Sequence, residues 1–328
     1  GDHRDLHSFP TRRSSDLVRD SVGLPVLFDE GSSMVDYDND GDFDLYLRGG
    51  SGPRLFRNDA GHFSDVTTLA GVGEPSLFWG DSWADIDNDG DLDLVQHRQG
   101  PAKLMLNQGD GTFERDPAFE TVNVGRELSA WADIDGDGDL DVVMGAMGKE
   151  LLVNRLQSMR GFFASHLRVR VLDAEGHLTA QGATVRLHEI GGPRGTTQTR
   201  IVDGGSGYLG QNEYTVHFGV TSRGRYALEG VYPSPAGSRI VVDSTVSRLL
   251  APISPDGDGN LTFTIHRDGR VERSGPSTAG IGDLVGKPGA HAAFGSPSPL
   301  PARGPVTLPV QMTREGRVQA APRIAAAR

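Results

Sequence analysis

The strongest constraint on this fold is a nine-residue acidic loop that occurs three times at nearly constant spacing. The segments read VDYDNDGDFDLYL after Met34, ADIDNDGDLDLVQ after Trp83 and ADIDGDGDLDVVM after Trp131. Their first aspartates, Asp36, Asp85 and Asp133, stand 49 and 48 residues apart. A second element follows at the same period: LFRNDAGHF over Leu55–Phe63 and LMLNQGDGTF over Leu104–Phe113. Asn58, Asn107 and Asn154 hold steps of 49 and 47, and the third copy keeps LLVN but loses the glycine turn, as an end repeat would. Repetition at this length marks one supersecondary unit per repeat, stacked on its neighbours, and the period is close to the ~40–45 residues of a propeller blade.

Within each unit the apolar runs are short and of β type, for example Leu92, Leu94 and Val95 after the second loop and Leu140, Val142 and Val143 after the third. Gly and Asp clusters interrupt every window that could be helical. The expectation is an all-β chain: a partial β-propeller of about three blades over residues 18–155, then a small β-sandwich-like domain over 165–272. Rings close with ~4–8 blades, so three copies imply further blades outside this sequence.

Each loop is D-x-D-x-D-G-D-x-D. Positions 1, 3, 5 and 9 are Asp36, Asp38, Asp40 and Asp44 in the first loop. They are Asp85, Asp87, Asp89 and Asp93 in the second, and Asp133, Asp135, Asp137 and Asp141 in the third. Alternate spacing lets a tight turn aim successive carboxylates at one centre. Gly41, Gly90 and Gly138 permit the backbone dihedral such a turn needs. The seventh residue (Asp42, Asp91, Asp139) can add its backbone carbonyl. An all-oxygen set suits Ca²⁺, which takes 6–8 oxygen ligands, better than Mg²⁺ with its strict octahedron. Zinc prefers His or Cys. An EF-hand requires Glu at position 12, where this chain has Leu47, Gln96 and Met144. Without a cation, four carboxylates in nine residues repel one another.

The net charge of −12 argues against a nucleic-acid partner. Fifteen of the 44 acidic residues lie in the three loops, so the charge reports metal sites more than an acidic surface. There is no cysteine, which excludes disulfides, thiol catalysis and cysteine-based zinc sites. No apolar run reaches the ~18 residues of a membrane-spanning helix.

The three loops with glycine-rich turns between them resemble the FG-GAP or VCBS repeats of integrin-α-type propellers, over about Val26 to Asn154. In that family, Asp at loop positions 1, 3, 5 and 9 binds Ca²⁺, and all twelve matching positions here are Asp. The segments GATVRL (Gly182–Leu187), GSGYLGQNEYTVHFGV (Gly205–Val220) and LEGVYPSPAGSRIVV (Leu228–Val242) resemble the ASPIC/UnbV domain. That domain follows such repeats in the cartilage acidic protein family and in bacterial exported proteins. The family's usual WPSG is replaced by Tyr232-Pro233-Ser234-Pro235.

Residues 273–328 are rich in Gly, Pro, Ala and Ser and read as linker, with Pro297–Gln319 faintly resembling the first strands of an Ig-like sandwich. Residues 1–17 match what one frame of a short-read sequencing adapter encodes. On that reading the natural sequence starts near Val18, and a signal peptide could precede it. PDGDGN at Pro255–Asn260 looks like a fourth loop but has Thr264 where an acid is needed, so a solvated turn is expected. Trp83 and Trp131, matching Met34, are expected in the core. The histidines share no spacing, and no catalytic motif is present. The expected function is an exported, calcium-stabilised propeller for extracellular binding or adhesion, with a protein or glycan ligand and a secreted or cell-surface location. The alternative is an accessory or catalytic propeller acting on polysaccharide or in biosynthesis.

Overall fold

The computed structural model describes residues 21–24, 29–49, 52–74, 78–98, 100–120, 128–145, 149–156, 166–191, 196–205, 210–220, 225–233, 240–247, 262–274 and 310–312. The adapter-like start, the PDGDGN turn and nearly all of the tail lie outside the described residues.

The first repeat forms β1 (Asp29–Val35), β2 (Asp44–Gly49), β3 (Arg54–Asp59) and β4 (His62–Asp65), paired in that order. The second forms β5 (Phe78–Ala84), β6 (Asp93–Arg98), β7 (Lys103–Asn107) and β8 (Phe113–Asp116) in the same order. In the third, β9 (Leu128–Ala132), β10 (Asp141–Gly145) and β11 (Lys149–Asn154) pair in sequence, and β20 (Val310–Met312) completes the sheet along β11. The repeat-end strand that the sequence lacks is thus supplied from the tail. In each sheet the acidic loop is the hairpin between the first two strands. The register is the same in all three: Val35 faces Asp44, Ala84 faces Asp93 and Ala132 faces Asp141. One-turn helices α1 (Thr67–Ala70) and α2 (Pro117–Glu120) follow the fourth strands of the first two sheets. Each starts where an aspartate side chain accepts a backbone N–H, Asp65 from Thr67 and Asp116 from Ala118.

Successive side chains of a strand point to opposite faces, and the middle sheet uses both faces. Leu94 and Met105 pack toward the first sheet with Tyr46, Leu55 and Trp83. Val95, Leu104 and Leu106 pack toward the third with Trp131, Val142 and Leu152. This explains why adjacent apolar residues, Leu94–Val95 in β6 and Leu104–Leu106 in β7, stand side by side rather than alternating with polar ones. Trp83 and Trp131 are core residues, 9% and 4% exposed, whereas Met34 at the matching position is 58% exposed. Tyr46 meets Trp83 edge-on at 5.4 Å. A buried Arg48–Asp81 ion pair and a Gln96 amide donating to the Tyr46 hydroxyl (2.8 Å) also join the first two sheets.

The chain beyond residue 165 builds two further sheets. One runs β15 (Val216–Gly219), β12 (His166–Val171), β18 (Thr262–Ile265), β19 (Val271–Ser274), with β12 and β18 parallel. The other runs β14 (Thr197–Ile201), β13 (Thr184–Glu189), β16 (Arg225–Tyr232), β17 (Ile240–Ser247), all antiparallel. They share one core, in which Leu167, Val169 and Phe218 meet Val185, Leu187 and Leu228. The protein is all-β with a propeller-like arrangement, but the described residues form five four-stranded sheets where the sequence led us to expect about three blades. Among the described residues the last two carry no acidic loop, and they interleave their strands in sequence, so the repeat that revealed the first three is silent about them.

Leu94 is fully buried between the first two sheets. Leu94→Ala should cost about 2–5 kcal/mol in urea unfolding at constant m-value.

Candidate metal centres

The ninth residue of each loop closes the hairpin. Asp44 accepts the Tyr37 N–H at 3.1 Å and the Asn58 N–H at 2.8 Å. Asp93 does the same with Ile86 (3.1 Å) and Asn107 (2.8 Å), and Asp141 with Ile134 (2.9 Å) and Asn154 (2.8 Å). One carboxylate therefore joins the loop to both the second and the third strand, while each of its oxygens keeps a lone pair.

The fifth residue folds the turn. Asp40, Asp89 and Asp137 each accept the N–H of the residue two further on, at 2.8, 3.0 and 3.0 Å. The glycine between has φ of 98°, 98° and 92° in Gly41, Gly90 and Gly138, where an L side chain would be strained. The fourth residue is also left-handed: Asn39 at 57°, Asn88 at 58° and Gly136 at 79°. Asn tolerates this region better than most residues.

That asparagine does more than tolerate a dihedral. Asn39 Nδ2 donates to Asp91 Oδ1 of the next loop at 2.7 Å, and Asn88 Nδ2 donates to Asp139 Oδ1 at 2.8 Å. The seventh carboxylates Asp91 and Asp139 are thereby bonded to the preceding sheet, a role the sequence did not suggest for their side chains. Asp42, in the first loop, instead accepts the Ala60 N–H. A second link runs the other way. Asn107 Nδ2 donates to the Tyr37 carbonyl (2.7 Å) and Asn154 Nδ2 to the Ile86 carbonyl (2.8 Å), each in the preceding loop. The repeat spacing of these asparagines was visible in sequence; their partners were not.

Among the described residues, three groups of carboxylates could hold a metal ion: Asp36, Asp38 and Asp40; Asp85, Asp87 and Asp89; Asp133, Asp135 and Asp141. In each group three oxygens lie within 4.8 Å of one another. Nine of the fifteen anticipated residues converge in this way. Asp44, Asp93 and Asp137 stand beside the groups as braces, and Asp42, Asp91 and Asp139 are outside them.

The donor set fits a hard cation. All the atoms are carboxylate oxygens, and in the first group Asp36 Oδ1 and Asp38 Oδ1 are buried without a hydrogen-bond donor, a costly state for a carboxylate oxygen unless something positive faces it. Burial, then repulsion from Asp40, pushes Asp38 up to about 6. Burial likewise pushes Asp36 up to about 7, against the lowering effect of Arg200, and Asp44 up to about 8. Asp85 and Asp93 are raised well above the usual range by burial and by neighbouring carboxylates. Asp137 reaches about 7 and Asp141 about 6, again with burial as the first cause.

A cavity of about 410 Å³ lies near the loops, with Met34, Trp83, Trp131, Thr199, Glu213 and His217 among its lining residues. The indole N–H of Trp83 donates to Asp81 and that of Trp131 to Ser82. Among the described residues, no helix is long and apolar enough to cross a membrane.

Comparison with known families gives two matches. The FG-GAP-like repeat matches residues 36–96 and again 85–144. The family described as ASPIC and UnbV matches residues 174–227. No curated protein matches. Among solved structures, a lectin from Agrocybe aegerita, described as recognising non-reducing terminal N-acetylglucosamine, is 17% identical with a TM-score of 0.27. The match covers 74% of this chain and 65% of the lectin, just under two thirds of its length. A score that low supports no argument about fold or ligand.

Two outcomes follow from the loop geometry. Asn39→Gly keeps the left-handed backbone but removes the amide that faces the buried Asp91. It should cost about 1–3 kcal/mol in denaturant unfolding. The raised carboxylates bind protons in the folded state that the unfolded chain, with pKa near ~3.9, releases. Their stabilisation is complete below that value and is lost as pH rises through about 6 to 8, the span of Asp38, Asp36 and Asp44. In chelator, the melting temperature should therefore fall between pH 5 and pH 8.5, and a bound cation should reduce that fall. Calorimetry across this range checks both statements.

Proposed function

For a chain that carries FG-GAP-like repeats and an ASPIC/UnbV domain, we propose an exported, calcium-stabilised propeller protein that binds an extracellular protein or glycan. The observation that carries the metal reading is the threefold recurrence of converging carboxylates, two of whose buried oxygens have no donor. Calcium accommodates many oxygens in a flexible shell, which suits carboxylates already braced by backbone N–H groups. Asp36, Asp38, Asp40 and Asp44 would hold one ion, and Asp85, Asp87, Asp89 and Asp93 a second. Asp133, Asp135, Asp137 and Asp141 would hold a third, with the carbonyls of Asp42, Asp91 and Asp139 as further ligands. Bound there, the cation supplies charge neutralisation to the hairpin; the role is structural.

Export is supported by the same chemistry. Extracellular Ca²⁺ modules bind at ~10⁻⁴–10⁻³ M, a range that is filled outside cells and empty in the cytosol. FG-GAP-like repeats are also typical of extracellular proteins. We assign residues 18–155 to the propeller repeats, 165–272 to the ASPIC/UnbV module, whose two sheets on one core form a small sandwich, and 273–328 to a linker-like tail.

The test is thermal unfolding of the full chain in EDTA and in millimolar Ca²⁺. Occupancy at a hundredfold excess over Kd stabilises by about 2.7 kcal/mol per site, which raises the melting temperature by several degrees. The triple variant Asp36→Ala, Asp85→Ala, Asp133→Ala should lose the response. A melting temperature that is identical in EDTA and Ca²⁺ would remove the calcium reading and the argument for export with it.

A further inference from the structure

The first carboxylate of every loop is bonded to the module that follows the repeats. Asp36 Oδ2 accepts the Thr199 N–H at 2.9 Å. Asp85 Oδ2 accepts the Gly219 N–H at 2.7 Å. Asp133 Oδ2 accepts from Arg168 Nη1 at 3.0 Å. Three loops thus meet three different strands of the module, at equivalent positions.

The strands involved explain the contact. β14 and β15 are edge strands of the two module sheets. An edge strand presents unpaired N–H and C=O groups that must be covered. Along β14, the Thr197 N–H donates to the Asn39 carbonyl (3.1 Å) and the Thr199 N–H to Asp36, alternate residues meeting one loop. Thr199 Oγ1 adds a bond to the Gly41 carbonyl at 3.3 Å. At the end of β15, Gly219 meets Asp85, and nearby His217 Nε2 is 2.6 Å from Asn88 Oδ1. The third loop is held by side chains: Arg168 bridges Asp133 and Glu213, and Glu213 Oε1 accepts the Asp133 N–H at 3.2 Å.

Two glycines record how close the approach is. Gly219 does not have a left-handed φ, so its own backbone does not require glycine. A Cβ there would overlap Asp85 Oδ2 and lie 2.5 Å from the Asn88 carbonyl carbon. A Cβ on Gly138 would overlap the His166 ring. Charge is matched as well. The buried Arg200 interacts with Asp36 and Asp85 and donates to the Gly90 carbonyl at 3.1 Å, as Arg168 does to Asp133.

We propose that the acidic loops are the seat on which the ASPIC/UnbV module docks, and that cation occupancy of the loops and docking of the module reinforce each other. The inference rests on the cation reading above. Five carboxylates per loop exceed the charge of one divalent ion, so the attraction for Arg168 and Arg200 persists when the ion is bound. What the ion adds is a fixed loop, with the first carboxylate held where Thr199, Gly219 and Arg168 can reach it. By linkage, the docked module then tightens the cation by the same factor that the cation tightens docking.

Hydrogen exchange of the full chain, read amide by amide in millimolar Ca²⁺ and in EDTA at one pH, tests this directly. The amides of Thr199 and Gly219 should exchange about tenfold more slowly with Ca²⁺, a typical coupling. Those of Val185 and Leu187, inside the module's own sheet, should not change. Calorimetric titration of the same sample reports whether Ca²⁺ binds. Ca²⁺ binding with unchanged exchange at Thr199 and Gly219 overturns this inference alone; absence of binding overturns it together with the calcium reading. Gly219→Ala supplies a second arm. It should weaken Ca²⁺ at one site by about tenfold while Val185 stays protected, and wild-type affinity in that variant would also overturn the proposal.

Discussion

The carboxylate at the ninth position of each loop is the contact on which the repeats depend. Asp44, Asp93 and Asp141 each bind two backbone N–H groups, one inside the hairpin and one on the third strand. When the carboxylate is ionised, its bond to a backbone N–H is charge-assisted and among the stronger hydrogen bonds a protein makes. Here it fixes where the loop leaves the sheet, and so where the other carboxylates stand. In the second and third repeats the asparagine that donates on the third strand, Asn107 or Asn154, then reaches its side-chain amide to the preceding loop. Local closure and contact between neighbouring sheets are therefore made by adjacent atoms.

The same economy of space creates the electrostatic problem. Backbone donors satisfy several oxygens, but burial raises the cost of the rest, and neighbouring carboxylates add to it. Two answers are present in the chain. One is the geometry suited to a hard cation. The other is the pair of arginines that the following module brings to the loops. They act at different ranges: a cation would sit among the oxygens, whereas Arg200 acts across the interface with Asp36 and Asp85. The module is thus part of the electrostatic environment of the loops and not merely an attachment beside them.

The acidic loops, their glycines and the β character of the repeats were legible because each is a local pattern that recurs. Trp83 and Trp131 were legible as core for the same reason. The jobs of Asn39 and Asn88 were not, although both stand in the motif, because their partners are 52 and 51 residues away. Asp91 and Asp139 were read by their backbone carbonyls, and what their side chains do is set by the neighbouring sheet. The contacts between module and loops span 163 residues for Thr199 with Asp36 and 134 for Gly219 with Asp85, beyond any periodic signal. Nothing local marks Gly219, and only the proximity of Asp85 and Asn88 explains it. About three blades were expected where five four-stranded sheets are described, because the last two sheets use strands out of sequence order. Pro297–Gln319 read as the first strands of an Ig-like sandwich; β20, within it, instead pairs with β11, and a three-residue strand gives no local signal of that partner.

The amide that each loop extends to the next has a consequence for how such a chain can change. Asn39 reaches Asp91 and Asn88 reaches Asp139, while Gly136 at the same place in the third loop has no side chain to extend. The series has a direction and an end. A residue inserted between the fourth and seventh positions of one loop would misplace its own turn and also one half of a bond owned by its neighbour.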